Sequence, residues 1–407
     1  MRDPFRVALI GFGGYGRVHI RALQAMEKEG LAALHAIAEI NQEAYGEQLA
    51  LWREKGVHIY TDWREMLAEC ECDIVAVATP LHLHREMVIT ALEAGYPVLC
   101  EKSAAVTVQD AIAMAQTAAH SGLLCGIDFQ LLASDAVGKL KQLIAAGSLG
   151  EVKRISGVGL GNRSDQYYQR ASWAGKFRIG DKYVLDGPMD NAFAHMLNNM
   201  LYIAAPAPGQ LAAPVKVRAS MYRAQPLAEM EDTAAVWVKT KEGPELLYLA
   251  TYNNAVNKPH YYRVEGTLGT AVVENNQLVV TKQGRREVLS TQAMNGKTED
   301  IYRNFIRGLT HNETLFSAID ESIKLAKAQN GAYISSGRIH PIPEPYYSRV
   351  PIEGDTATVY ADIADVFMRC VEQHILPADL AAPWAVDVRE VDVTDLEVYQ
   401  PVSPDQL

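Results

Sequence analysis

Val7-Ala8-Leu9-Ile10-Gly11-Phe12-Gly13-Gly14-Tyr15-Gly16 joins a short apolar run to a turn with glycine at its first, third and sixth positions. The run reads as a buried strand, and the glycines sit where a dinucleotide-binding turn needs them. Gly11 lets the chain leave the strand tightly, Gly13 lets backbone approach a pyrophosphate, and Gly16 lets the next helix pack close. That helix, predicted over Tyr15 to Lys28, points its N-terminal N–H groups at the phosphates. Phe12, Gly14 and Tyr15 complete the candidate loop.

A glycine turn alone also ends strands for steric reasons, so its surroundings decide. A second apolar strand, Leu34 to Ala38, ends in Glu39, 23 residues beyond Gly16. An acid at that strand end accepts from ribose hydroxyls. Ile40, Asn41 and Gln42 follow with no arginine for a 2′-phosphate, so NAD is preferred over NADP.

Composition sets the limits. The 407 residues suffice for two or three domains, and 48% hydrophobic with 21% charged residues suits a globular enzyme. A net charge of −11 argues against nucleic acid or anionic membrane as partner. Five scattered cysteines form no disulfide framework and no metal-ligand set, and they read as reduced thiols. With no signal peptide and no apolar run near the roughly 18 residues of a membrane span, a cytoplasmic location is expected.

Up to about residue 130, apolar strands alternate with amphipathic helices, the pattern of a doubly wound parallel sheet in an α/β domain (1–130). Asp73 to Ala78 is a strand followed by the loop Thr79-Pro80-Leu81-His82-Leu83-His84, and Tyr96 to Cys100 is a strand that delivers Glu101 and Lys102. Ligands of such sheets lie beyond the strands' carboxyl ends, so Thr79, Pro80, His84, Glu101 and Lys102 join the candidate cofactor site. Strand-like stretches between Val152 and Lys282 then predict an α+β domain (131–340) with one broad, mostly antiparallel open sheet. Helices near Thr298–Leu309 and Ser317–Tyr333 close it. In the extension 341–407, Val359, Tyr360, Ile363, Val366, Phe367, Cys370 and Val371 predict one apolar helical stripe. It is expected to pack on the second domain or on a neighbouring subunit.

Asp186 to Tyr202 is the other informative stretch. Pro188 suits the first turn of a helix capped near Asp186 or Gly187. Helical spacing then places Asn191, His195, Asn198 and Tyr202 on one narrow face. No charged residue occurs from Asn191 to Val215, so a solvated face does not explain the stripe. Burying such groups unpaired costs about 1–3 kcal/mol each, so a polyhydroxylated ligand, ordered water or an internal network must satisfy them. His195 is the candidate base, since a neutral imidazole at near-neutral pH can take a proton.

On these pieces, with His19 soon after the glycine turn and the Gly147–Gly150 turn before the sheet domain, the chain resembles the glucose-fructose oxidoreductase and inositol dehydrogenase (Gfo/Idh/MocA) family over about residues 5 to 335. The resemblance implies a Rossmann domain, a second domain whose open sheet often forms subunit interfaces, and hence a homo-oligomer. It implies NAD(P)-dependent redox chemistry on a sugar or cyclitol, with Lys102 as the catalytic lysine and His195 as the catalytic histidine. Tyr167, Tyr168, Arg170 and Trp173, with Asp190 and Asn191, fall on the substrate side. Two positions depart from the family pattern: Ser103 replaces the proline after Glu-Lys, and Asn191 replaces the acid four residues before the histidine. Two alternatives to net dehydrogenation stay open: a tightly bound, recycled NAD that enables glycoside cleavage or epimerisation, and a non-catalytic NAD- or sugar-sensing protein.

Overall fold

A computed structural model describes residues 3–352 and 354–402. The chain begins with Phe5–Ile10 (β1), Gly16–Lys28 (α1), Ala32–Ala38 (β2), Gly46–Glu54 (α2), His58–Tyr60 (β3), Trp63–Glu69 (α3) and Ile74–Val77 (β4). His84–Glu93 (α4), Val98–Glu101 (β5), Val108–Ser121 (α5) and Cys125–Asp128 (β6) follow. Next come Asp135–Ala145 (α6), Val152–Leu160 (β7), Asp165–Gln169 (α7), the short pair Arg178–Ile179 (β8) and Lys182–Tyr183 (β9), and Ala194–Ala204 (α8). Seven strands succeed one another: Pro214–Arg223 (β10), Thr233–Thr240 (β11), Glu245–Thr251 (β12), Tyr261–Gly266 (β13), Gly269–Glu274 (β14), Gln277–Lys282 (β15) and Arg285–Ser290 (β16). Thr298–His311 (α9), Ile319–Ser336 (α10), Ile339–Pro341 (β17), Tyr347–Ile352 (β18), Asp355–Tyr360 (β19), Ile363–Gln373 (α11) and Glu390–Asp392 (β20) complete the chain.

Two compact units result. The first holds the described residues up to Ala105, with Gln109–Ala133 and Gly296–Ser322; the second holds Val106–Val108, Ser134–Asn295 and the described residues from Ile323 onward. In the first, a parallel sheet runs β3-β2-β1-β4-β5-β6. Val7, Leu9, Ile37 and Ile74 are fully buried, as strands covered on both faces require. Helix α9 packs on α1 and adds Tyr302 and Phe305 to this core, although about 270 residues separate the two helices in sequence.

The second unit is a ten-stranded, mostly antiparallel mixed sheet, β16-β15-β14-β13-β7-β12-β11-β10-β17 with β20 also on β10. Its two faces receive different helices. A Cβ at Gly157 would fall 2.6 Å from the Met200 sulfur, and one at Gly159 2.4 Å from the Phe193 ring, so bare backbone here lets α8 lie directly on β7. On the opposite face, Ile363, Phe367, Cys370 and Val371 of α11 pack against Val158, Leu160, Leu247 and Leu249. Burial of each large side chain stabilises by about 1.5–3 kcal/mol, which anchors the extension on its own chain.

Two expectations need correction. Val359 and Tyr360 belong to a strand rather than to the helical stripe: β18 and β19 form a hairpin, and the helix starts only at Ile363. Thr356, Thr358, Val359 and Tyr360 are β-branched or aromatic residues, which suit a pleated ribbon. The second correction concerns α8. It begins at Ala194, not near Pro188, because the preceding turns close irregularly, through Phe193 N–H to Pro188 O (2.9 Å) and Ala194 N–H to Asn191 O (3.2 Å). The wide bond from Phe193 breaks the helical period, so Asn191 does not share a helix face with His195. Among the described residues, no helix is long and apolar enough to cross a membrane.

Candidate active site

In the first unit the glycine turn is shaped by backbone contacts. Gly11 has φ +95°, which favours glycine, and a Cβ on Gly16 would lie 2.1 Å from the Gly11 carbonyl oxygen. A side chain at Gly14 would meet nothing within 4 Å, so this backbone is open to a ligand. The first turn of α1 carries no acid, which suits a pyrophosphate. Glu39 closes the turn from β2: its carboxylate accepts from Phe12 N–H at 2.9 Å and from Asn41 N–H at 2.8 Å. Each carboxylate oxygen retains a second lone pair for a ribose hydroxyl. The residues fit a dinucleotide.

Beyond the strands' carboxyl ends, the Lys102 amine stands 5.8 Å from the centroid of the exposed Tyr15 ring. His84 joins two loops, with Nδ1 2.9 Å from Ser103 O and Nε2 2.8 Å from Thr79 O. Both neighbours are acceptors, so a neutral ring donates to one of them at a time. Burial lowers the pKa of His84 and keeps the ring neutral, against the pull of those carbonyls. Pro80 lies between these two loop contacts in sequence and is half-buried.

Behind Lys102 lies a buried network. Glu101 Oε2 accepts from Lys102 N–H at 3.1 Å, while Glu101 Oε1 is 3.1 Å from His19 Nε2. His19 Nδ1 is 2.9 Å from the Tyr302 hydroxyl, and Asp128 Oδ2 lies 3.8 Å from Nε2. Donor atoms of His19, Glu101 and Asp128 fall within 4.8 Å of one another, a grouping able to hold a cation. Both imidazole nitrogens, however, already face Tyr302 and Glu101, so the geometry is that of proton sharing. Burial opposes charge on His19, yet Glu101 and Asp128 raise its pKa overall. Burial and the nearby Glu101 push the Asp128 carboxyl up to about 7.

In the second unit the structure brings Tyr167, Arg170, Trp173 and Asn191 together. The Arg170 guanidinium lies 3.6 Å from the Tyr167 ring centroid and 4.7 Å from that of Trp173. Asn191 Nδ2 donates to Asp186 Oδ1 at 2.7 Å and reaches the Tyr167 hydroxyl at 3.5 Å. Asp186 Oδ2 accepts from Gly175 N–H at 2.7 Å and lies 3.8 Å from Arg170. Tyr168 is buried, edge-on to Tyr167. Burial and the Asp186 charge raise the Tyr167 pKa, so its hydroxyl stays protonated.

Asp190 is not part of this group. Its buried carboxylate accepts from the Tyr333 hydroxyl, which also lies 3.2 Å from both oxygens of buried Glu231. Burial, then mutual repulsion, raises the Glu231 pKa well above its ordinary value, and burial raises that of Asp190.

His195 is the second residue of α8 and is buried. One turn on, Asn198 is fully buried, and neither its Nδ2 nor its Oδ1 has a hydrogen-bond partner among the described residues. Asn199 instead donates to the Tyr262 hydroxyl at 3.1 Å.

Residues 5–129 match the family model described as an oxidoreductase family with an NAD-binding Rossmann fold, and residues 137–272 match the Gfo/Idh/MocA C-terminal domain. The chain belongs to the Gfo/Idh/MocA family. Its first unit is therefore an NAD-binding Rossmann domain. It is 28% identical to levoglucosan dehydrogenase of Pseudarthrobacter phenanthrenivorans over 244 residues, 59% of this chain and 60% of that protein. To an inositol 2-dehydrogenase/D-chiro-inositol 3-dehydrogenase of Shouchella clausii it is 32% identical over 147 residues, 36% of this chain and 42% of that protein. These alignments thus span less than two thirds of either relative. An oxidoreductase from Agrobacterium radiobacter, solved with NAD+, L-tartaric acid and magnesium, shares the fold with a TM-score of 0.70 at 18% identity, over 82% of this chain and 97% of that one.

As a Gfo/Idh/MocA member the chain has its own solution at the departing positions. Ser103 offers its carbonyl to His84, and the Lys102–Ser103 peptide is cis. At Asn191 the amide presents the Asp186 carboxylate, five residues earlier in sequence. Sequence reading took Asp186 only as a helix cap and overlooked Glu231, Tyr333 and Asp128. A usable signal existed for Asp186, which ends the apolar pair Val184-Leu185, and for Glu231, which with Asp232 immediately precedes the apolar strand β11.

Proposed function

We propose that this protein is an NAD-dependent dehydrogenase acting on a secondary hydroxyl of a sugar, glycoside or cyclitol, with His195 as the base and Lys102 assisting. The observation that carries this reading is the cluster in the second unit, where the Arg170 guanidinium lies against the Tyr167 and Trp173 rings and Asn191 is held by Asp186. Aromatic faces with a few convergent polar groups suit a polyhydroxylated ligand. The related levoglucosan and inositol dehydrogenases fit this substrate class.

When bound, NAD supplies the hydride acceptor. Within this chain, His195 takes the hydroxyl proton at an imidazole nitrogen. The Lys102 ammonium assists by stabilising the negative charge that develops on the substrate. Tyr167 and Arg170 hydrogen-bond the other hydroxyls, Trp173 stacks on the sugar, and Asn191 is oriented for its contact by Asp186. The Gly11–Gly16 turn and Glu39 hold the pyrophosphate and ribose.

The test is NADH formation, followed by absorbance, with levoglucosan, inositols and D-glucosides as substrates. His195→Ala and Lys102→Ala are each expected to lower kcat by about 100-fold or more, the usual worth of positioned acid–base groups. Unchanged turnover in both variants overturns the assignment. Because Asn191 carries no charge to strengthen His195, a recycling enzyme is the second reading, and product without net NADH would select it.

A further inference from the structure

Helix α7, which carries Tyr167 and Tyr168 and leads into Arg170, has only five residues. A helix this short does not hold itself, and the Ser164 side chain makes no cap to it. Its support comes from the β18–β19 hairpin. Asp355 Oδ2 accepts from Gln166 N–H at 3.0 Å, and so caps α7 from another part of the chain. The Ser164 hydroxyl and the Gln166 amide hold the Asp355 carboxyl below the usual carboxylate range, so the cap is ionised at neutral pH. Ser164 and Ala357 form an antiparallel bridge.

Arg349 completes the attachment. One arm pairs with the Asp165 carboxylate; the other donates to Thr358 Oγ1 at 2.8 Å and to Gln225 Oε1 at 3.2 Å. Gln225 is buried and itself donates to Asp165 Oδ1 at 3.3 Å. The hairpin is in turn rooted: the Tyr360 hydroxyl donates to buried Asp232, whose other oxygen accepts from Ala224 N–H at 2.7 Å and Gln225 N–H at 2.8 Å. The hairpin lies outside both matched family domains, which cover residues 5–129 and 137–272.

We propose that Arg349 and Asp355 are positioning residues for the sugar pocket: the hairpin holds α7 so that Tyr167 and Arg170 meet the substrate, without touching it. This rests on the reading of Tyr167 and Arg170 as sugar contacts. Releasing α7 leaves the reacting hydroxyl's partners intact, so binding weakens more than chemistry.

The experiment uses the full-length protein. Arg349→Ala and Asp355→Asn are compared with wild type on whichever of levoglucosan, myo-inositol and methyl β-D-glucoside gives NADH fastest. KM for the sugar is expected to rise about tenfold in each, with kcat within about threefold and NAD affinity unchanged, since a lost cap or charged bond is worth about one decade. Arg349→Lys, which keeps a charge for Asp165, recovers part of the loss. Independently of any sugar, hydrogen exchange of the peptide containing Gln166 is expected to accelerate in both variants. Unaltered exchange, or an unaltered KM while Arg170→Ala raises it, overturns the proposal. If Arg170→Ala also leaves KM unaltered, the sugar-pocket reading fails instead, and accelerated exchange alone would leave the hairpin a support for α7 and refute its role in binding.

Discussion

Asn191→Asp restores the acid usual for the family, yet the structure predicts harm. The Asn191 amide donates to Asp186 Oδ1 at 2.7 Å, and Asp186 is buried. Replacing that donor with a carboxylate sets two like charges about 3 Å apart, a repulsion of about 5 kcal/mol at an effective dielectric of about 20. The pair escapes by retaining one proton, which moves one ionisation from about 4 to about 7. The sign follows from proton uptake: between those values the folded variant holds a proton that the unfolded chain has lost, so stability falls as pH rises. At about 1.4 kcal/mol per unit, the variant loses about 2 kcal/mol at pH 5.5 and about 4 kcal/mol at pH 8. Thermal melting of wild type, Asn191→Asp and Asn191→Ala at both pH values tests this. The extra destabilisation at pH 8 corresponds to a gap of about 4–8 °C for Asn191→Asp, and none is expected for Asn191→Ala, which loses a bond without adding charge. A pH-independent loss, or a higher kcat/KM at pH 8, would refute the reasoning.

Two further variants probe other parts of the molecule. Glu231→Gln keeps an acceptor for Tyr333 but removes a carboxylate that burial and Asp190 hold protonated above its ordinary range. Because a raised carboxyl pKa costs stability as pH rises above the unfolded value near 4, Tm should increase clearly at pH 8 and little at pH 5; equal shifts at both would contradict the assignment. Gly16→Ala sets a Cβ against the Gly11 carbonyl, 2.1 Å away, and forces the turn open. Overpacking of this kind costs about 1–3 kcal/mol, so a fluorescence titration should show NAD binding weakened about tenfold to hundredfold. Wild-type affinity would show that the turn does not contact the cofactor.

Sequence determined the Rossmann half almost completely. Its glycine spacing, buried strands and the positions of Glu39 and Lys102 follow from local steric needs and from periodicity, which any stretch of chain carries within itself. The strands of the second sheet were likewise legible from alternation and turn residues. Tertiary structure decided what lies between distant segments. Helix α8 starts only at Ala194, after an irregular turn in which Phe193 settles on the bare backbone of Gly159, and no periodicity within residues 186–202 encodes that contact. Asn191 gains its carboxylate from Asp186 only through the irregular turn between them. Asp190 meets Glu231 and Tyr333 from two other elements, and Asp355 caps a helix nearly 190 residues away. Such pairings cost loop-closure entropy and are held by burial and charge, quantities that belong to the assembled fold rather than to any one stretch of residues.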